Sequence, residues 1–351
     1  MAAPFTFILP EELCAKEPPE RRAFARDQVR LLVLDRATGK ATHARFDRLG
    51  EFLKPGDLLV FNSSRTLPAS LQGRGASGGP CVEARLAEHL PDGSWLALLR
   101  CRRGDPFGSG LRAGLNIEFG EGLTGVVEAR NERIPRLWKL RFSKTGPELI
   151  DLIYRLGQPI RYEYVSAPWA LDYYQTIYAK EPGSAEMPSA GRAFTWKLLF
   201  ELQRAGIDAA YLVLHTGLSS YLDETLDRQH LASEEEYFIS EPTAEKVRRT
   251  REHGGRVIAI GTTVVRALEA GALCARRQGV EAGHRYTRLR ITATHSLRVV
   301  DGLLTGLHEP EASHLELLSA FLPAEQLCAA YEDALRLQYL WHEFGDLNLI
   351  L

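Results

Sequence analysis

Two unbroken apolar runs stand out near the start of the chain: Arg30 to Asp35 (RLLVLD), and Leu58 to Asn62 (LLVFN), which follows the turn at Pro55-Gly56-Asp57. Apolar blocks of this length bounded by turn residues predict buried strands of a main core. From Pro68 to about Gly157 the texture changes to short alternating runs divided by glycine-rich turns such as GRGASGGP and FGEGLTG. That predicts a small antiparallel β-domain. In Leu137 to Phe142 the alternation is cleanest, with Trp138, Leu140 and Phe142 set against Lys139 and Arg141, a strand with one dry and one wet face. With SWLALL, LNIEF and LTGVVEA nearby, a closed barrel or small sandwich inserted into the main domain accounts for the segment.

After about residue 157 helices and strands alternate. Thr195 can cap a helix running to Ala205, its apolar face formed by Leu198, Leu199 and Leu202, with Gly206 stopping it before the strand DAAYLVLH. A charged helix, AEKVRRTREH, ends at Gly254-Gly255; the strand RVIAIG and the helix TTVVRALEAGA follow. A last amphipathic helix is expected from about Ala324 to Glu343, closed by Gly345. The expected fold is therefore an α/β main domain with an inserted small antiparallel β-barrel domain. Residues 1–67 and 158–351 form the discontinuous α/β catalytic domain, and 68–157 the insert.

Composition narrows the function classes. With 351 residues, 45% hydrophobic and 25% charged, the chain holds apolar material for one large core and a smaller one. A net charge of -2 offers no general attraction to nucleic acid, so a polynucleotide would need a local basic patch. Candidates are Arg248, Arg249 and Arg251 on one helix and Arg276 and Arg277 on another, although such charges ordinarily solvate a helix face. The five cysteines are odd in number, widely spaced and without a CxxC pair, which indicates neither a disulfide framework nor a zinc ribbon and suits a cytoplasmic location. The N-terminus lacks a basic region before a long apolar stretch, and no apolar run is long enough to span a bilayer, so a soluble protein without a membrane partner is expected.

Candidate chemistry concentrates in the second half. In RVIAIGTTVVRALE, a strand runs into Gly261, Thr262 and Thr263 at the start of a helix, placing free backbone N–H groups at a strand's carboxyl end. The segment is either an anion or carboxylate site or a plain βα connection with a threonine cap. Arg266, one turn on, can bind a carboxylate bidentately or form a surface ion pair. His215, His230, His308 and His314 lack HExxH spacing and companion cysteines, so acid–base or structural roles are expected and no metal site. Glu234, Glu235 and Glu236 form an acidic run that reads as a solvated loop unless a partner stands beside it. The pairs Ser63-Ser64 and Ser219-Ser220 lack the G-x-S-x-G elbow, and neither GxxxxGK[ST] nor GxGxxG after a strand occurs, so serine hydrolysis, nucleotide hydrolysis and hydride transfer find no support.

Ordered strings along nearly the whole chain resemble the S-adenosylmethionine:tRNA ribosyltransferase-isomerase family of queuosine biosynthesis. They are FILPEELCAKEP, RLLVLDRATGKATHARFDRLGEFLKPGDLLVFNSSRTLPASLQGR, YYQTIYAKEPGSAEMPSAGRAFT, LVLHTGLSSY, HLASEEEYFISEPTAEKVRRTREHGGRVIAIGTTVVRALE, DGLLTGLHEPEASHLELLSAF and FGDLNLIL. The chain departs from the family at several motifs. The family's N-[DT]-T-R-V is Asn62-Ser63-Ser64-Arg65-Thr66, and its P-L-P-P-Y-I is replaced over Pro159 to Val165 (PIRYEYV). Its A-P-T-A-G-L-H-F-T is Met187 to Thr195, so a histidine becomes Ala193. In H-x-M-H-x-E-x-Y, His230, Glu235 and Tyr237 remain while the second histidine is Ser233. L-H-V-G-x-G-T-F is Leu214 to Tyr221, and T-N-F-H-L-P is Thr305 to Pro310.

The resemblance implies the α/β domain with an inserted barrel, and transfer and isomerisation of the ribosyl part of S-adenosylmethionine onto a 7-aminomethyl-7-deazaguanine base in tRNA, releasing adenine and methionine. S-adenosylmethionine is then a co-substrate, with no permanently bound cofactor, tRNA the expected partner, and the protein a monomer or weak homo-oligomer. Such a reaction needs a base for the hydrogens beside the sulfonium, a proton donor for adenine and partners for the methionine carboxylate and ammonium. His215 or His230 are the acid–base candidates, and Glu235 orients a histidine or contacts the ammonium. Arg266 with Gly261, Thr262 and Thr263 would hold the carboxylate, Arg65 an anionic or carbonyl group, and Tyr237 and His308 complete the substrate-binding set. A paralogue using S-adenosylmethionine with a small-molecule acceptor is the alternative, favoured by Ala193, Ser233, the lost P-P-Y-I and the acidic pI. A degenerate binding protein without catalysis would not selectively keep His215, His230, Glu235, Arg266 and His308.

Overall fold

Residues 7–101, 110–229, 234–275, 279–310 and 312–351 are described by a computed structural model. The chain first lays down β1 (Arg30–Leu34), β2 (Ala41–Arg45) and β3 (Leu58–Asn62), the last buried at all five positions. After the short β4 (Ser64–Thr66) it leaves this layer for β5 (Ser70–Gly75), β6 (Cys81–His89), β7 (Trp95–Cys101), β8 (Asn116–Gly120), β9 (Leu123–Arg130) and β10 (Leu137–Phe142). These six strands close into an antiparallel barrel in the order β10-β7-β6-β5-β8-β9. The alternation in β10 does what its pattern requires. Trp138, Leu140 and Phe142 enter the barrel core with Leu71, Val82 and Ile117, while Lys139 and Arg141 pair outside with Asp92 and Glu128.

The strand texture stops short of residue 157, because the last part of this segment is a helix, α1 (Gly146–Leu156). Its apolar positions Leu149, Leu152 and Ile153 follow helical spacing and pack into the barrel core. At the neck Ser70 and Gln158 exchange two backbone hydrogen bonds of 2.9 Å. A Cβ on Gly157 would lie 1.9 Å from the Pro68 carbonyl oxygen, so only glycine lets the two crossing segments approach.

The returning chain forms β11 (Glu181–Ser184), parallel to β4, then α2 (Trp196–Arg204), β12 (Asp208–Leu214), α3 (Glu224–Gln229), β13 (Glu235–Ile239), α4 (Glu241–Glu252) and β14 (Val257–Ile260). It ends with α5 (Thr262–Cys274), β15 (Gly283–Thr287), β16 (Gly302–Gly306), α6 (Ser313–Leu318), α7 (Ala324–Arg336) and β17 (Leu347–Ile350). The main sheet has nine strands in the order β15-β13-β12-β3-β14-β16-β17-β1-β2. Its centre, β12-β3-β14-β16, is parallel, and the outer pairs β12-β13, β13-β15 and β1-β2 are antiparallel.

Both faces of this sheet are covered, which is why β1 and β3 read as unbroken apolar runs. Leu58 and Val60 face the layer that includes Val264 and Leu268 of α5 and Leu327 and Tyr331 of α7. Leu59 and Phe61 face the other layer, with Phe46, Leu49, Phe194, and Leu198 and Leu202 of α2. Thr195 caps α2 as its sequence predicts, accepting the Leu198 amide at 3.2 Å. The expected final helix is cut short: α7 stops at Arg336, and Gln338 takes a φ of +58°. Beyond it the buried Tyr339, Trp341 and Phe344 satisfy the cores from an irregular turn rather than from a helix face. Among the described residues no helix is long and apolar enough to cross a membrane.

Candidate active site

The parallel strands β12, β3, β14 and β16 deliver their carboxyl ends to one edge, where an open α/β sheet places its crevice. Asn62, at the end of β3 and fully buried, ties these ends together. Its Nδ2 donates to the Leu214 carbonyl at 2.8 Å and approaches Thr263 Oγ1 at 3.3 Å, while its Oδ1 accepts from the amides of Ser64 at 3.0 Å and Leu214 at 3.1 Å. The loops fixed in this way surround a cavity of about 690 Å³.

One wall is electropositive. Gly261 precedes α5 with a φ of +103°, a conformation that disfavours any other residue, and no side chain caps the helix. Glycine, and not a threonine, is the N-cap, so the alternative of a threonine-capped connection does not hold, and Thr262 and Thr263 lie inside the first turn. Gly261, Thr262 and Thr263 line the cavity, and the amides of Thr262 and Thr263 come too early in the helix for an intrahelical acceptor. Arg266 also lines the cavity, its Nη2 2.7 Å from Glu235 Oε1. Burial raises the Glu235 pKa and the Arg266 charge opposes the rise. Glu235 therefore lies at the start of strand β13 with a cationic partner, and not in the solvated loop read from the acidic run. Arg288 and Arg290 lie at the more exposed rim, paired with Glu234 and Glu316.

Another part of the lining is acidic and aromatic. Glu186 accepts from the Tyr162 hydroxyl and from the Ser219 amide at 2.8 Å. Glu343 accepts from the Tyr164 hydroxyl at 2.6 Å. The rings of Tyr162, Tyr164 and His342 run nearly parallel, 13° and 12° apart, and all five side chains line the cavity. Burial pushes the Glu186 carboxyl up to about 7; Tyr162 and Ser219 pull it down, and Glu343 pushes it up further. Burial also raises Glu343 and lowers His342 to about 4, so the imidazole is neutral near pH 7.

Of the residues singled out from sequence, Glu235, Gly261, Thr262, Thr263, Arg266 and His308 meet around this one cavity. His308 Nε2 lies 2.8 Å from Thr305 Oγ1, its ring stacks on His314, and burial holds it neutral. His215 stands behind the lining: its Nδ1 is 2.7 Å from Ser64 Oγ, which in turn lies 2.6 Å from Ser184 Oγ. Gly183 lies so close to that ring that a Cβ would come within 2.5 Å. Burial lowers the His215 pKa, so its free base is the dominant form near neutrality. His230 and Ser233 lie outside the described residues. Tyr237 is buried in the helix-side core, and Arg65 is exposed with its guanidinium 5.6 Å from the Tyr154 ring centre; neither is part of the lining. Ala193 packs in the opposite core layer and is not part of the lining. On α4, Arg248 and Arg249 pair with Glu245 and Arg251 with Asp301, a solvated helix face. Among the described residues no group of three His, Cys, Asp or Glu side chains could hold a metal ion.

The chain matches the family described as "Queuosine biosynthesis protein" over residues 2–350. It is similar to a protein of Carboxydothermus hydrogenoformans named S-adenosylmethionine:tRNA ribosyltransferase-isomerase, with 40% identity over 354 residues, 99% of this chain and 98% of that one. A protein of the same name from Thermotoga maritima is 36% identical over 349 residues, again 99% and 98% of the two chains. A crystal structure of a Thermotoga maritima S-adenosylmethionine tRNA ribosyltransferase shares 31% identity, covers 99% of this chain and 100% of its own, and has a TM-score of 0.55.

Proposed function

The chain belongs to the queuosine biosynthesis protein family, and from that membership we propose that it transfers and isomerises the ribosyl moiety of S-adenosylmethionine onto a 7-aminomethyl-7-deazaguanine base in tRNA, releasing adenine and methionine. It is an enzyme, a transferase-isomerase that uses S-adenosylmethionine. The observation that carries the finer reading is the mixed lining of one cavity, which brings together an open helix start with Arg266 and two carboxyls among aromatic rings.

The positive wall suits the methionine carboxylate, which the α5 amides and Arg266 would hold while Glu235 fixes the guanidinium. A planar base can lie against the Tyr162 and Tyr164 rings. The acidity of the hydrogens next to the sulfonium calls for a base, and His215, which burial keeps neutral, or His230 remain the proposed groups. S-adenosylmethionine is a consumed co-substrate in this reading, without a permanent cofactor, and the enzyme works in the cytoplasm.

The test is to incubate the purified protein with S-adenosylmethionine, with and without tRNA carrying the aminomethyl base, and to follow adenine and methionine by chromatography. Release dependent on that tRNA is expected; equal release with and without it would defeat the proposal. A different amine acceptor is the second reading, and the replacement of P-P-Y-I by a segment that puts Tyr162 and Tyr164 on the cavity wall favours it. Productive turnover with a small amine in place of tRNA would establish it.

If tRNA is the acceptor, its phosphates should meet Arg288 and Arg290 at the rim, whose side chains are 58% and 51% exposed. Reversing both charges is expected to raise the tRNA KM about tenfold and to reduce the salt slope of binding by about one for each lost phosphate contact. Filter binding across a salt series measures this. An unchanged slope would place the tRNA elsewhere.

A further inference from the structure

Glu186 has no role in the reading from sequence, yet it lines the cavity within hydrogen-bond reach of Tyr162 and Ser219. It shares that cavity with the α5 start, held by a phenol and a backbone amide, and the second carboxyl, Glu343, adds to the negative potential. The groups that act on it are Tyr162, Ser219 and Glu343, and it in turn raises the pKa values of Tyr164 and Tyr221. Tyr162 and Tyr164 are held neutral, so both act as hydrogen-bond donors and supply no compensating positive charge. The sequence of this wall departs from the family's P-L-P-P-Y-I over Pro159 to Val165, the segment that carries both tyrosines.

Two nearby carboxyls whose hydrogen-bond donors are all neutral, with the Arg192 charge acting on Glu343 alone, make a site suited to a cation that also donates hydrogen bonds. Resting on the function proposed above, we propose that Glu186 is a catalytic residue that receives the acceptor's ammonium group and takes its proton, with Glu343 assisting as a second acceptor of ammonium hydrogen bonds. The step is balanced: one N–H bond of R–CH2–NH3+ breaks, an O–H bond forms on the Glu186 carboxylate, and the electron pair left on nitrogen becomes the nucleophile for the ribosyl carbon. S-adenosylmethionine supplies that electrophile and the departing adenine and methionine, so no further reactant is required. A carboxylate poised near neutral pH is matched to this duty. Tyr162 and Ser219 then act as positioning residues that fix the carboxylate.

Glu186→Gln preserves the side-chain shape and an oxygen to accept from Tyr162 and Ser219, and its thermal melt checks folding. Binding is measured first, by fluorescence anisotropy with tRNA carrying either the aminomethyl base or unmodified guanine at the same position. The wild type is expected to favour the amine at least tenfold, and Glu186→Gln to lose that preference. Turnover is measured second. In the wild type, kcat/KM should rise with pH as Glu186 ionises, and this limb should vanish in Glu186→Gln. Tyr162→Phe removes a donor that stabilises the carboxylate, so the limb should move to higher pH. Amine-selective binding without adenine release would sink the proposed reaction and leave the amine site standing. Acceptor-dependent release that Glu186→Gln leaves unchanged in rate and pH profile would overturn the inference, as would a wild type indifferent to the amine.

Discussion

Arg266→Met is expected to lower kcat/KM for S-adenosylmethionine by about 10²–10³, the size of effect that follows removal of one preorganised charged donor from an active site. The prediction rests on position: Arg266 is one turn into α5, on the same side of the cavity as the uncapped first-turn amides. A carboxylate there would meet the helix's partial positive charge and a guanidinium at once. The same substitution also strips Glu235 of its 2.7 Å partner in a site where burial already raises its pKa. Breaking such a pair from one side costs about 3 kcal/mol, because the remaining carboxyl must stay unpaired or take up a proton. That cost separates two explanations of lost activity. Adding Glu235→Gln to Arg266→Met removes the uncompensated charge and should recover most of the stability in urea unfolding, while turnover stays low. If the double variant regains turnover along with stability, Arg266 serves only as a counter-ion to Glu235. If Arg266→Met leaves the S-adenosylmethionine KM and kcat at wild-type values, the carboxylate is bound elsewhere.

How far such a site could be read in advance depends on the distance over which its parts are specified. β3 and β10 were legible to the residue because their patterns are local: a run buried on both sheet faces in one, strict alternation in the other. The start of α5 was legible for the same reason, since a strand, a glycine and a helix follow one another within one short segment. α1 was missed because it enters through Gly146 and Pro147 after a long series of strands, and its apolar spacing covers only three turns. The final helix was overextended because Tyr339 and Trp341 prolong an apolar pattern whose burial is satisfied by the turn after α7. The acidic wall was invisible for a deeper reason. Tyr162 and Glu186 lie 24 positions apart, and Tyr164 and Glu343 lie 179 apart, so only the tertiary fold makes each a pair. What the sequence did offer was the substitution of P-P-Y-I, whose meaning emerges when Tyr162 and Tyr164 reach the cavity.

Asn62 joins the local and the long-range parts, and Asn62→Ala is expected to cost about 3–6 kcal/mol of stability together with most of the activity. At 1% exposure its side chain satisfies the amide and carbonyl of Leu214 and the amide of Ser64. Alanine leaves those three backbone groups without these partners, at about 1–3 kcal/mol each, with partial relief if water enters the space. Against a typical total of about 5–15 kcal/mol, this is a large fraction of the folding free energy. The midpoint of urea unfolding should fall with little change in slope, since the unfolded chain exposes nearly the same surface. Activity should fall below what the folded fraction explains. The β12 end leads into the Thr216 to Tyr221 cavity loop, and Thr263 belongs to the α5 turn, so one lost side chain loosens both walls. Asn62→Asp distinguishes the donor from the acceptor role. It can still accept from Ser64 and Leu214 but places a carboxylate against the Leu214 carbonyl, so it too should be destabilised, increasingly so as pH rises and the group ionises. A loss below about 1 kcal/mol in Asn62→Ala, with kinetics unchanged, would mean that the strand ends hold their positions through the sheet alone.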